Sequence, residues 1–97
     1  MQIDKRKIES NLPKKGFVIG DETHHNYFHH TYQGKVTGIY TYTSCGSTPK
    51  TYGDNLIKMM KNQLKLNKNK EVFNLCTCPM DGEEYNKILI KNGKFRP

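Results

Sequence analysis

The chain has 97 residues, which sets a single small domain and excludes a large multidomain enzyme. Its hydrophobic fraction is 34% and its mean hydropathy −0.85, with no Trp and no Ala, so the core must come from Leu, Ile, Val, Met, Tyr and Phe. Sixteen Lys and Arg against nine Asp and Glu leave a net charge of +7, which points to a polyanionic partner: nucleic acid, an anionic membrane or an acidic protein.

A domain of this size buries only about 60–68% of its unfolded surface, so stability should be modest and a partner would help. Residues 4–15 read as a helix. Asp4 suits its N-cap, and Ile8 and Leu12 lie four apart on one face. Pro13 marks its end, and Gly16 supplies a terminal residue with positive φ. Residues 17–19 form an apolar strand, with Gly20-Asp21 as a turn signal. Residues 23–32 carry β-branched and aromatic side chains and read as a second strand. Gln33-Gly34 turns the chain, and residues 35–43 return as a third strand in a hairpin.

Residues 44–53 read as a polar loop. Asp54 caps a helix over 55–66, with Leu56, Ile57, Met60 and Leu64 as its apolar stripe and Lys58, Lys61 and Lys65 toward water. Residues 67–70 form a basic linker or the start of a further helix, in which Val72, Phe73 and Cys76 recur at helical spacing. The last helix begins at Asp81, with Glu84 completing a capping-box pattern. Tyr85, Ile88 and Leu89 form its buried face, and Gly93 ends it.

The order α-β-β-β-α with a helical extension predicts an α+β two-layer sandwich. Helices cover one face of an antiparallel sheet and leave the other at least partly open. The expected division is a domain over 1–66 and a helical extension over 67–97 packed on it. The alternative use of that extension is a homodimer interface. Three Cys, an odd number, argue against a disulfide framework. Residues 1–5 lack the apolar segment of a secretory signal, and no apolar run approaches the roughly 20 residues of a membrane span. The expectation is a cytosolic protein without membrane attachment.

All four His fall in one segment, at positions 24, 25, 29 and 30. On a helix His25 and His29 would be one turn apart, half of a zinc site. On a strand the same gap spans about 13 Å, too far for one ion. The Thr, Tyr and Phe content favours the strand, so neither metal nor cofactor is expected. Strand alternation puts His25, Tyr27 and His29 on one face and His24, Asn26, Phe28 and His30 on the other. One set packs under the helices, where a His is a hydrogen-bonded structural residue. The other stands on the open face, where a solvated His with a pKa near 6.5 suits acid–base work on a ribose 2′-OH. Cys76-Thr77-Cys78 is a poor zinc or redox signature, and a packed structural Cys is the plainer reading. Cys45-Gly46-Ser47 lacks the full phosphate-loop pattern, although Lys50 and backbone N–H groups there could touch a phosphate. Arg6 and Arg96 are the only Arg, and Lys suits phosphate contact better than bidentate base reading.

Lys14-Lys15-Gly16-Phe17, followed by Thr23-His24-His25-Asn26-Tyr27-Phe28-His29, resembles the HicA toxin family, also called YcfA-like. Glu22 stands where that family has Gly, and Thr23 where it has Ser. The resemblance covers residues 5–66. It implies a double-stranded-RNA-binding-domain-like α-β-β-β-α fold and a metal-independent mRNA interferase of a toxin–antitoxin system, neutralised by a HicB-like antitoxin. His24 would then be the catalytic His on the open face, Tyr27 the aromatic core position, and His25 and His29 structural.

Three functions stand side by side. The first is an endoribonuclease with His24 as general acid/base. The second is a non-catalytic RNA-binding module of the same fold. The third is a domain that docks an acidic protein. Lys35, Lys50, Lys58 and Lys61 are the candidate nucleic-acid contacts.

Overall fold

A computed structural model describes residues 2–21, 25–44, 46, 50–77 and 79–95, with the Asp21 side chain left aside. The elements in chain order are β1 (Ile3–Asp4), α1 (Lys5–Asn11), a 3-10 turn (Leu12–Lys15), β2 (Phe17–Asp21), β3 (His25–Tyr32), β4 (Lys35–Ser44), β5 (Thr51–Tyr52), α2 (Asp54–Gln63), α3 (Asn69–Cys76) and α4 (Gly82–Lys91). The architecture is the expected α+β class: a three-stranded antiparallel sheet in the order β2-β3-β4, with four helices. A two-stranded ribbon, β1 with β5, stands apart from it.

Local chemistry explains most of the boundaries. The Asp4 side chain accepts from the Arg6 backbone N–H at 2.8 Å and starts α1. Pro13 removes a backbone donor, the helix tightens into the 3-10 turn, and Gly16 closes it at φ 91°. Gln33 (φ 51°) and Gly34 (φ 81°) both take positive φ, as a two-residue hairpin turn between β3 and β4 requires. Gly38 (φ 89°) lies where the β3–β4 register shifts, between the His29–Tyr40 and Thr31–Val36 pairs. At α4 the Asp81 carboxylate accepts from the Glu84 N–H at 2.8 Å.

Three boundary expectations need correction. β2 does not turn at Gly20-Asp21 but continues through both, paired with Tyr27 and Asn26. Gly at position 20 leaves room for the His29 ring, whose Nε2 would lie 3.1 Å from an added Cβ. Gly53, not Asp54, is the N-cap of α2, and Asp54 sits in its first turn. The expected loop over 44–53 contributes Ser44 to β4 and Thr51–Tyr52 to β5.

One core runs through the molecule. Ile3, Ile8, Leu12, Phe17, Phe28, Ile57, Met60 and Leu64 pack in the same cluster as Val72, Leu75, Cys76, Tyr85 and Leu89. Phe73 and Ile88 pack against it half-buried, so the apolar residues of α3 and α4, Ile90 apart, serve the chain's own interior. Lys15 helps to fasten this half: its ammonium is buried and donates to the carbonyls of Thr77 (3.3 Å) and Met80. α4 then starts directly against the 3-10 turn. A Cβ at Gly82 would lie 2.8 Å from the Lys15 carbonyl oxygen, a backbone atom that cannot swing aside. Gly82→Ala should therefore destabilise the fold by about 1–3 kcal/mol, despite Ala's higher helix propensity. Urea titration reads this directly, and an unchanged or raised midpoint would contradict the packing.

Candidate nucleic-acid interface

The helices cover one face of the sheet through specific polar contacts. The Glu9 carboxylate of α1 accepts from Asn26 Nδ2 (3.1 Å) and from the Thr43 hydroxyl (2.7 Å). The Thr41 hydroxyl donates to Gln63 Oε1 of α2 at 2.7 Å. His30 lies 2.7 Å from Asn86 Oδ1 of α4. Phe28, His30, Thr41 and Thr43 are buried beneath these helices.

This choice of face corrects the expectation for β3. Phe28, not Tyr27, is the core aromatic, and His30, rather than His25 or His29, is the structural His. The set of Asn26, Phe28 and His30, expected on the open side, is the covered one. His24, the expected catalytic residue, lies outside the described residues, as do Glu22, Thr23, Cys45, Ser47, Cys78 and Arg96.

His30 is fully enclosed by Phe17, Tyr85 and Phe95, with ring centroids 5.1–5.6 Å away. Its Nε2 donates to Asn86 Oδ1, which leaves Nδ1 to accept from the Thr37 hydroxyl at 2.8 Å. The neutral ring satisfies both partners. Burial lowers its pKa below the usual 6.5, only partly offset by the bond to Asn86. The unfolded chain therefore binds a proton here at higher pH than the folded one. His30's contribution to stability is complete above pH 6.5 and is lost as pH falls from there through the folded-state pKa. Urea midpoints should drop between pH 7.5 and pH 5, and the drop should shrink in His30→Gln. Equal pH dependence in the two proteins would contradict this assignment. Cys76 is also withdrawn from chemistry: burial pushes its thiol up to about 12 against a smaller opposing pull from Lys15. Among the described residues no three of His, Cys, Asp and Glu gather as a metal-holding group.

The uncovered face carries a cluster of rings. Tyr27 pairs with Tyr42 across the strands and His29 with Tyr40. Tyr27 lies at the centre, with ring centroids 5.5 Å from Tyr42, 5.8 Å from Tyr40 and 6.0 Å from both His25 and His29. His25 stands edge-on to Tyr42 at 4.6 Å. All five are half-buried or exposed, Tyr40 at 44%. The sequence supplies a signal that strand alternation alone does not: Phe28 is the one side chain of β3 without a polar atom.

Charge gathers in two further places. Lys58 and Lys61 lie one turn apart on α2, Lys58 exposed and Lys61 half-buried beside the buried Ile57, and Lys65, Lys68 and Lys70 follow before α3 is one turn old. No carboxylate interrupts this run between Asp54 and Glu71. Lys50 lines a cleft of about 460 Å³ with Asp4, Lys5, Arg6, Glu9 and Gly46. Lys5 is buried there, its ammonium donating to the Gly46 carbonyl (2.8 Å) and the Ser44 hydroxyl (3.3 Å). Lys35 stands exposed at the hairpin end. The four expected contacts thus fall in three places: Lys58 with Lys61 on the helical layer, Lys50 in the cleft, and Lys35 by itself at the turn. Sequence reasoning did not single out Lys5 or Arg6 beside Lys50, because β1 and β5 bring them together and are only two residues each.

No described helix is long and apolar enough to cross a membrane. Comparison with known proteins finds no protein-family model, no characterised relative and no solved structure that matches the chain.

Proposed function

We propose that this chain is an RNA-binding protein. The observation that carries the reading is the lysine run from Lys58 to Lys70, without a carboxylate in it, along α2, the α2–α3 connection and the start of α3 in a chain with net charge +7. Lysines spaced along such a stretch follow a phosphate backbone without reading base edges, which suits binding with little sequence preference. Anisotropy of a labelled RNA at about 50 mM salt should show saturable binding, since non-specific complexes hold at low salt. Absence of binding under those conditions would overturn the reading.

A second reading adds cleavage. Its support is the order of a helix, three antiparallel strands and a helix in α1, β2–β4 and α2, together with Lys14-Lys15-Gly16-Phe17 and Thr23-His24, which resemble the HicA family. In this reading the fold is double-stranded-RNA-binding-domain-like and His24 takes the proton of a ribose 2′-OH; the 2′-oxygen bonds to the adjacent phosphorus as the P–O5′ bond breaks, and the leaving 5′-oxygen takes up a proton, giving a 2′,3′-cyclic phosphate and a 5′-hydroxyl end without a metal. The protein would act in the cytosol as a toxin held in check by a HicB-like antitoxin. Expression of wild type should then arrest growth and degrade mRNA, and His24→Ala should abolish both. Undiminished toxicity of His24→Ala would remove this residue from the chemistry.

A further inference from the structure

We infer that the uncovered sheet face is a stacking platform for the unpaired bases of single-stranded RNA. This rests on the RNA-binding reading and names the form of RNA and the surface that would hold it. The platform is His25, Tyr27, His29, Tyr40 and Tyr42.

Three observations converge on that occupant. First, the rings form one connected array, with Tyr27 touching all four others. Tyr27 and His29 lie nearly parallel, at 16°. Side chains two apart on a strand are about 6.8 Å apart, so successive rings offer faces to bases that have been pulled out of a stack. Base-paired nucleotides cannot use such a surface, because their faces are already covered. Second, every ring ends in a hydroxyl or an imidazole nitrogen, so the face is wettable while free and still offers π-surface to a base. Third, the charge around it suits a polyanion. β3 and β4 contain no Asp or Glu. At one end His25 pairs with Ser44, whose hydroxyl receives the buried Lys5 from a cleft where Arg6 and Lys50 stand with Asp4 and Glu9 and leave a net positive charge. At the other end Lys35 pairs with Tyr32, whose ring packs on Phe95, so it lies on the helix-covered side of the sheet. A strand whose bases lie on the rings thus has cations for its phosphates at the Ser44 end of the platform.

The aliphatic residues Val18 and Val36, exposed at 48% and 65%, flank this face at Val18's pairing with His29 and Val36's with Thr31. They identify the rival occupant, a second copy of the chain, which the experiment separates.

The test uses the full chain with a labelled single-stranded RNA of about ten nucleotides and a duplex of equal length. Wild type should prefer the single strand. Tyr27→Ala and Tyr42→Ala should each weaken single-strand binding about tenfold to a hundredfold, with duplex binding and the salt dependence unchanged. Tyr27→Phe, which keeps the ring, should bind like wild type and guards against a folding artefact. Equal binding by wild type and a folded Tyr27→Ala overturns the platform while leaving the RNA-binding reading in place. No binding of either RNA by wild type overturns both. Self-association of wild type that Tyr27→Ala abolishes, without change in RNA affinity, overturns the platform in favour of a second copy.

Discussion

Tyr85→Ala should lower the unfolding free energy by about 3–5 kcal/mol, enough to leave much of this small chain unfolded in dilute buffer. Tyr85 is fully buried and joins parts of the chain that are distant in sequence. Its ring stacks on Phe17 at 5.7 Å and meets the edge of His30 at 5.1 Å. Its hydroxyl donates to the Leu64 carbonyl at 2.8 Å. Truncation opens a cavity between α4, β2 and β3 and leaves that carbonyl without its donor. Tyr85→Phe removes only the hydrogen bond and should cost about 1–3 kcal/mol, the penalty of a buried unsatisfied acceptor. Urea denaturation of the three proteins, followed by circular dichroism, gives both values. A cost below about 1 kcal/mol for Tyr85→Ala would mean that α4 is not part of the core.

The second large effect concerns charge. Replacing Lys58, Lys61 and Lys65 together by Gln should weaken RNA binding at all sequences alike and flatten its salt dependence. Each lost phosphate contact to a single strand lowers the slope of log K against log salt by about 0.7, so three contacts lower it by about 2. The fold should change little, because Ile57, Met60 and Leu64, and not these lysines, fill the core here. An unchanged slope would mean that RNA does not follow this helix.

The element order was readable because each helix carries its own apolar spacing and each turn its own chemistry. Ile8 and Leu12 marked the first helix, Gln33-Gly34 the hairpin and Asp81 the start of α4. What was not readable depended on long-range contacts. β1 and β5 are two residues each, too short for any periodic signal, and they exist only because Ile3 and Tyr52 meet across the chain. Gly20 reads locally as a turn, yet it lies in a strand where the His29 ring crosses it.

The faces of the sheet were the largest omission. Alternation divides β3 into two sets but does not say which one the helices cover. β4 makes the choice harder, because it buries Thr41 and Thr43 while turning Tyr40 and Tyr42 outward, against the usual ranking of Tyr and Thr. The reason is polar and steric. The small Thr side chains let α1 and α2 approach closely, and Glu9 and Gln63 accept their hydroxyl protons. Neither partner is near Thr41 or Thr43 in sequence. Once β4 is oriented this way, the register places Tyr27 with Tyr42 and His29 with Tyr40, and the aromatic face follows.

The most direct test is the affinity of the wild-type chain for a labelled single-stranded RNA, measured across a salt series from about 50 to 200 mM. RNA binding through the lysine run predicts a linear fall of log K with log salt, with a slope of at least about −2, as three or more phosphate contacts require. Affinity independent of salt, or no binding at the lowest salt, would contradict it.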